Sequence, residues 1–486
     1  MDFFQDFTQT IAGRAVDAGR SIDVINPANE ERIARVPEAT EAQLDEAVAC
    51  ARRAQPGWAT TPLPTRRSVV QRIGELLLRH QESFARLLTL EQGKPLAAAR
   101  AEIQRASHWC SETAGMSLPR TELDADPQRR VVIRHVPLGV VGAIVPWNFP
   151  MTLALWKIAP ALLAGNAVVL KPSPFTPLTA LKLGELLREV VPGGVLNVLS
   201  GGDALGPWMT AHPDIDKIAF TGSTATGRRV MQSAAVNLKR LTLELGGNDA
   251  AIILPDVDVQ AIAPQIYWAC FANSGQYCLA SKRVYIHRSI YAPLCAAVAD
   301  YAAGVRMGNG LEDGVQVGPI QNRPQYERVR DLAEHCRSEG MKFLFGGEER
   351  PTQAAHRGYF MAPTVVDNPP EDSRIVREEP FGPIVPFLQY AEVDEVVERA
   401  NAGPYGLGGS VWGRDEAAAL AVADRLQTGM VWINEIHRMT PHAPLAGHKQ
   451  SGLGCENGIE GLLGYTNTQV VSIARPVADP NARGGR

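Results

Sequence analysis

Basic residues are not in excess in this 486-residue chain. Its 48 Lys and Arg stand against 52 Asp and Glu, a formal net charge of -4. That balance leaves no basic footprint for a nucleic-acid partner. The seven cysteines, at positions 50, 110, 270, 278, 295, 336 and 455, contain no C-x-x-C pair. A disulfide framework or a zinc ribbon needs close, paired spacing, so reduced thiols and a cytoplasmic location are expected. Long apolar runs are missing too. The most apolar stretch, 152–170, is interrupted by Lys157, Pro160 and Gly165-Asn166. This predicts a buried helix, a turn and a core strand, and no membrane span. The start, MDFFQDFTQT, lacks the basic and apolar regions of a signal peptide. There is no H-E-x-x-H, no clustered metal-ligand spacing and no Ser-His-Asp order, so no metal site is expected. Gly222 to Arg228 (GSTATGR) looks like half a phosphate loop but lacks the Lys-Ser/Thr that holds phosphates and magnesium. A nucleoside triphosphate is disfavoured. A dinucleotide stays open, its pyrophosphate near the start of the helix after Ser223, although no G-x-G-x-x-G fingerprint is present.

What is present is an ordinary folding composition, 45% hydrophobic and 21% charged. The length exceeds what one core supports, so two or three domains are expected. Segments 40–55 and 65–90 carry apolar residues at helical spacing, with Thr40 and Thr65 as N-caps. From Gly139 short apolar runs (140–145, 167–170, 195–199, 217–220) alternate with helical patterns (178–190, 225–235). Such alternation implies a parallel sheet covered on both faces, with ligands beyond the carboxyl ends of its strands. The loops there hold Asn148, Lys171, Gly201-Gly202 and Gly222-Ser223. A second alternation (250–254, 283–287, 342–345, 409–412, 430–434) predicts another α/β unit around Cys278. Segments 128–136 and 468–474 read as lone strands that pair in a projecting flap or across a subunit contact. Residues 476–486 read as a loose tail.

Three residues point to chemistry. Cys278 sits in NSGQYCLASKR among small and polar residues, with Lys282 and Arg283 close enough in sequence to favour a thiolate. A free cysteine is also commonly just a small core residue. Glu244 ends the apolar strand RLTLE before two glycines, where a carboxylate is costly unless paired or functional. A salt bridge at a sheet edge or interface is the alternative. Asn148 lies between two prolines in VPWNFP, and its amide is able to donate to a developing oxyanion or to form an Asx turn.

These residues fall within motifs that resemble the aldehyde dehydrogenase superfamily, from about Asp23 to Thr466. Eight occur in the family's order: LEQGKP (90–95), PWNFP (146–150), KPSPFTP (171–177), FTGST (220–224), LELGG (243–247), NSGQYC (273–278), EEPFGP (378–383) and GHKQSGLG (447–454). The resemblance implies an α/β fold. A Rossmann-like cofactor domain would comprise 1–118 and 138–246, and an α/β catalytic domain 247–450. A small β-strand oligomerisation flap (119–137 and 464–476) and a tail (477–486) would complete it. It implies a soluble homodimer or homotetramer, in which strand 128–136 meets strand 468–474 of a neighbour.

The same resemblance implies NAD(P)-dependent oxidation of an aldehyde to the acid, through a thiohemiacetal and a thioester on Cys278. Asn148 and the Cys278 N–H would hold the oxyanion, Glu244 would activate water, and Lys157 with Glu456 would relay the proton. An acylating, coenzyme A-dependent enzyme and a non-catalytic relative are the alternatives, and Glu244 argues against the first. For the cofactor it points to Lys171 on the adenosine ribose, Ser223 on the pyrophosphate, and Glu379 with Phe381 at the nicotinamide ribose. Val145, Pro146, Trp147, Ser173, Gly201, Gly202, Phe220, Gly222 and Leu245 would line the rest. Many NAD-preferring members carry a glutamate where this chain has Pro174, so NAD use with relaxed discrimination against NADP is expected. An apolar substrate tunnel is expected from Phe149, Leu153, Trp156, Tyr277, Leu279, Met439 and Leu445. His437, Arg438 and His442 would stand near its mouth to meet an acidic tail.

Overall fold

Strand Val140–Ile144 sends alternate side chains to opposite faces, and both faces are buried. Val141 and Ala143 join one apolar cluster with Val168 and Leu170, whereas Val140 and Ile144 join another with Ala167 and Val169. This is the two-residue period of a strand covered by helices on each side. The computed structural model describes residues 2–126, 129–347 and 357–475. The expected tail at 476–486, and Gln128 at the start of an expected strand, lie outside the described residues.

The strand belongs to an eight-stranded sheet. Its order is Arg14–Val16, Gln9–Ile11, Leu196–Val198, Ala167–Lys171, Val140–Ile144, Lys217–Thr221, Arg240–Glu244 and Gly452–Leu453. The central five run parallel. Chain order reverses between Val140–Ile144 and Lys217–Thr221, the kind of switch point beyond whose carboxyl ends ligands bind, here next to Val145-Pro146-Trp147 and Gly222-Ser223. A second, seven-stranded sheet runs Phe343–Phe345, Thr364–Asp367, Ile384–Tyr390, Ser281–His287, Asp249–Ile253, Gly408–Trp412 and Met430–Ile433. All but its first pair are parallel. The chain leaves the first sheet at Glu244 and enters the second at Asp249. Two sheets therefore meet at the short link Leu245 to Asn248.

Several expectations need correction. Segment 65–90 is two helices, Leu63–Arg79 and Gln81–Gln92, broken at His80, whose φ of -109° and ψ of 21° leave the helical region. The break wraps the aromatic ring of Phe3, which contacts both His80 and Phe84. Thr65 is not the cap: Pro62 precedes the helix, and Pro64 occupies its first turn. Thr40 does cap its helix through a reciprocal bond with Gln43, and that helix runs on to Thr60. The central strand Ile384–Tyr390 was not expected, because Pro386 within it argues against an inner strand.

The lone strands Arg129–Pro137 and Thr466–Ala474 pair with each other along their whole length inside one chain, Thr466 opposite Pro137 and Ala474 opposite Arg129. The expected meeting with a neighbour's strand is thus replaced by an internal one. The reason is tethering. Helix Gly458–Leu463 packs on helix Pro150–Ala164 and delivers Thr466 beside Pro137 after only a short turn. Thr121–Asp126 adds the third strand of this small antiparallel sheet.

Candidate active site

Asn148 is set by the helix that follows it. Pro150 opens Pro150–Ala164, and the free N–H groups of its first turn, Met151 and Thr152, donate to Glu102 Oε1 at 3.0 and 3.3 Å. Glu102 Oε2 accepts from Lys94 Nζ at 2.5 Å, and Lys94 Nζ also donates to the Asn148 carbonyl at 2.9 Å. The ammonium stands 4.0 Å from the Phe149 ring centroid. Lys94 and Glu102 are both buried, so each charge is compensated by the other and by backbone. The Asn148 side chain donates one N–H to Gln276 O at 3.1 Å; its Oδ1 takes no partner among the described residues, so no Asx turn forms, and the second N–H has none there either.

The nucleophile loop is held by unusual backbone. Asn273 and Ser274 are left-handed (φ 52° and 58°), followed by Gly275 at φ 70°. Side-chain bonds stabilise it: Ser274 Oγ to Gly318 O at 2.7 Å, and Gln276 Nε2 to Asn273 O at 2.9 Å. Cys278 emerges from this loop, just ahead of strand Ser281–His287, and keeps partial exposure. Crowding protein atoms push its thiol up to about 12 by desolvation, although Lys282 acts in the opposite sense. Lys282 Nζ donates to the Cys278 carbonyl at 2.5 Å. Arg283 does not assist, contrary to the expectation from sequence. Successive residues of a strand point to opposite faces, and its guanidinium bonds Asn248 O, Arg399 O and Ala400 O.

Glu244 is buried, and neither carboxylate oxygen has a hydrogen-bond partner among the described residues. It is no edge-strand salt bridge. Desolvation first, then the nearby charge of Glu456, holds its carboxyl well above the usual range, with Lys157 opposing. Lys157 and Glu456 form a buried ion pair, and Lys157 Nζ also donates to Thr221 Oγ1 at 2.8 Å.

The thiol, the Asn148 amide and the Glu244 carboxylate share one cavity. Asn148, Glu244 and Cys278 line it together with all seven expected tunnel residues, Phe149, Leu153, Trp156, Tyr277, Leu279, Met439 and Leu445. Phe149 packs on Tyr277 with ring centroids 4.6 Å apart. Arg105, Thr152, Thr221, Leu245 and Leu407 complete the wall. Of the residues expected at the mouth, none lines the cavity. His437 stacks on Tyr277, and desolvation lowers its imidazole to about 3, so it stays neutral. His442 is held by Glu112 at 2.8 Å, and Arg438 is exposed.

The crevice beyond the first sheet collects the remaining residues. Ser223 is exposed and caps helix Thr224–Ala234. Trp147 meets Phe381 edge to face at 5.3 Å. Glu379 Oε1 accepts from Gly247 N at 3.1 Å and pairs with Lys282 at 3.3 Å, while Oε2 takes no partner among the described residues. A side chain at Gly247 would come within 2.9 Å of the Cys278 carbonyl, so glycine is required for this approach. Lys171 is buried, with no ion pair among the described residues, and desolvation lowers it to about 8, with Asp203 opposing. Gly201-Gly202 follow strand Leu196–Val198, and Glu38 approaches Gly202. Lys94, Glu102, Gln276, Thr221 and Arg105 escaped sequence reasoning. Lys94, Gln276 and Thr221 lay in motifs singled out there, whereas Glu102 and Arg105 lay in none.

A doubly wound sheet, with a cysteine, an amide and a carboxylate unpartnered among the described residues around one cavity, defines the α/β architecture of a dinucleotide-dependent oxidoreductase. The aldehyde dehydrogenase family model matches residues 15–471. Phenylacetaldehyde dehydrogenase of Pseudomonas fluorescens is 38% identical over 483 residues, covering 96% of this chain and 95% of that protein. Aldehyde dehydrogenase LUC3 of Fusarium sp. is 38% identical over 470 residues, covering 97% and 99%. Among solved structures, an aldehyde dehydrogenase from Bacillus cereus in complex with NAD+ superposes with a TM-score of 0.94 at 36% identity, over 97% of each chain. Betaine aldehyde dehydrogenase of Staphylococcus aureus in complex with NAD+ gives 0.93 at 34% identity, over 96% and 94%. The chain belongs to the aldehyde dehydrogenase family.

Proposed function

We propose that Cys278, Asn148 and Glu244 oxidise an aldehyde to its carboxylic acid, with NAD+ as hydride acceptor and water as acyl acceptor. The observation that carries this is the shared cavity, where a buried carboxylate without a partner faces the same space as the thiol and the amide. Sγ of Cys278 adds to the carbonyl carbon as the thiol gives its proton to Glu244, which passes it on before the second step, and the free Asn148 N–H with the Cys278 N–H holds the oxyanion. NAD+, when bound, takes the hydride from that carbon. The thioester left on Cys278 is hydrolysed by water that gives its proton to Glu244. Lys157 and Glu456 relay it onward.

The crevice residues fit the dinucleotide. Lys171 and Ser173 would hold the adenosine ribose, and Ser223 at its helix start the pyrophosphate. Glu379 Oε2 is free for the nicotinamide ribose beside Phe381 and Trp147. Val145, Pro146, Gly201, Gly202, Phe220, Gly222 and Leu245 shape the walls. With Pro174 in place of a carboxylate, NADP is accepted less well than NAD but not rejected. The seven cysteines are all free, which supports a reducing, cytoplasmic location. The exposed apolar residues Leu123, Val470 and Ile473 on the flap sheet support a homodimer or homotetramer built through it.

The test is product analysis without coenzyme A. Acid and NADH are expected in equal amounts from a simple aldehyde. NADH that appears only when coenzyme A is added would overturn the hydrolytic step. An NADP preference in kcat/KM, or equality of the two, would overturn the cofactor assignment.

A further inference from the structure

Arg105 is the one cation among the described residues that line the cavity, whose other walls are mostly aliphatic and aromatic. It stands on helix Leu96–Gly115 and is half-buried. That helix is anchored on both sides of it. Glu102 binds the first turn of the following wall helix, and Trp109 stacks on Trp156 at 5.5 Å while its Nε1 donates to Asn457 at 2.9 Å. The side of the helix between these anchors, and Arg105 with it, is therefore held toward the cavity.

No hydrogen bond or ion pair engages Arg105 among the described residues. The acids of its own helix are committed elsewhere: Glu102 to Lys94 and to the Met151 and Thr152 N–H groups, and Glu112 to His442. A guanidinium has five donors and is costly to hold partly desolvated without an acceptor. Its planar fork matches a carboxylate in two parallel bonds. Its charge is felt at Tyr277 and His437, both in contact with the cavity wall, whereas the charges acting on Glu244 are those of Glu456 and Lys157. An anion at Arg105 is thus kept apart from the carboxylate that must take up a proton.

We propose that Arg105 determines specificity by binding a carboxylate at the far end of the substrate, so that the aldehydes of this enzyme carry a second, anionic terminus. The proposal rests on the aldehyde oxidation assigned above and names its substrate class. It also moves the recognition of an acidic tail, expected from sequence at His437, Arg438 and His442, to Arg105.

Two near-isosteric pairs test it with NAD+: 4-formylbenzoate against 4-methylbenzaldehyde, and 4-oxobutanoate against pentanal. The wild-type enzyme is expected to show the higher kcat/KM on the carboxylated member of at least one pair. In Arg105→Met the ratio of carboxylated to neutral kcat/KM should fall by about 30-fold or more, the effect of truncating one partner of a charged hydrogen-bonded pair. Arg105→Lys, which keeps the charge but not the fork, should give an intermediate ratio, and it serves alone if the methionine variant does not fold. A wild-type preference for the neutral member of both pairs, or a ratio unchanged by either substitution, overturns the assignment. Activity on the neutral aldehydes in those cases leaves aldehyde oxidation standing, whereas no NADH from any of the four sinks both.

Discussion

Glu244 keeps a carboxyl in apolar surroundings, and the two charges nearest it pull in opposite directions. Glu456 raises its pKa and Lys157 lowers it, behind the larger effect of desolvation. In the proposed mechanism Glu244 takes the proton of water and so acts ionised, and turnover limited by thioester hydrolysis then rises with pH through this group. Glu456→Gln removes a negative neighbour and should move that acidic limb to lower pH. Lys157→Met removes a positive one and should move it to higher pH. A pH profile of kcat for each variant checks the pair, and shifts in the same direction would contradict the field described. Asn148→Ala should lower kcat by about 10²–10³, the usual effect of removing one oxyanion donor, with the melting temperature little changed. Cys278→Ser should lose steady-state turnover, read as NADH absorbance, and a serine variant as fast as wild type would exclude the thiol mechanism.

At the scale of elements, one motif acquires a physical role from the two helix starts its residues hold. Glu91 and Lys94 both belong to the LEQGKP segment. Glu91 accepts from Leu178 N at 2.6 Å, Thr179 N at 3.0 Å and Thr179 Oγ1 at 2.5 Å, closing the start of helix Leu178–Leu187. Burial nevertheless pushes its carboxyl up to about 7. Glu91→Ala leaves those donors buried without an acceptor and should cost about 1–3 kcal/mol, read from urea unfolding. A variant as stable as wild type would show that water replaces the carboxylate. Lys94 serves the catalytic helix in a parallel way, through Glu102 and the Asn148 carbonyl. Neither role follows from helical periodicity, because a charged residue on a helical face looks solvated until its partner from another element is known.

For the whole molecule, the small flap sheet is the exposed feature. Among the described residues, Thr466–Ala474 and Thr121–Asp126 each leave one edge unpaired, and Val470 is 62% exposed. Such edges are normally covered. The proposed oligomer should sediment as a dimer or tetramer at micromolar concentration. Val470→Lys combined with Ile473→Lys should shift it toward smaller species in light scattering. A monomeric wild type would remove this interface.

Sequence alone was enough for the alternation of strands and helices, since a period of two or of 3.6 reports which face of an element is buried. It was also enough to single out Cys278, Asn148 and Glu244, which line one cavity, because their unusual settings and ordered motifs are local features. Only tertiary structure decided which residues meet. It turned Arg283 away from the thiol and paired the flap strands within one chain. It held His437 neutral against Tyr277, and brought Arg105 to the cavity. Periodicity records the burial of a face but carries no information about the distant element packed against it, and that packing determines every charge pair at this site.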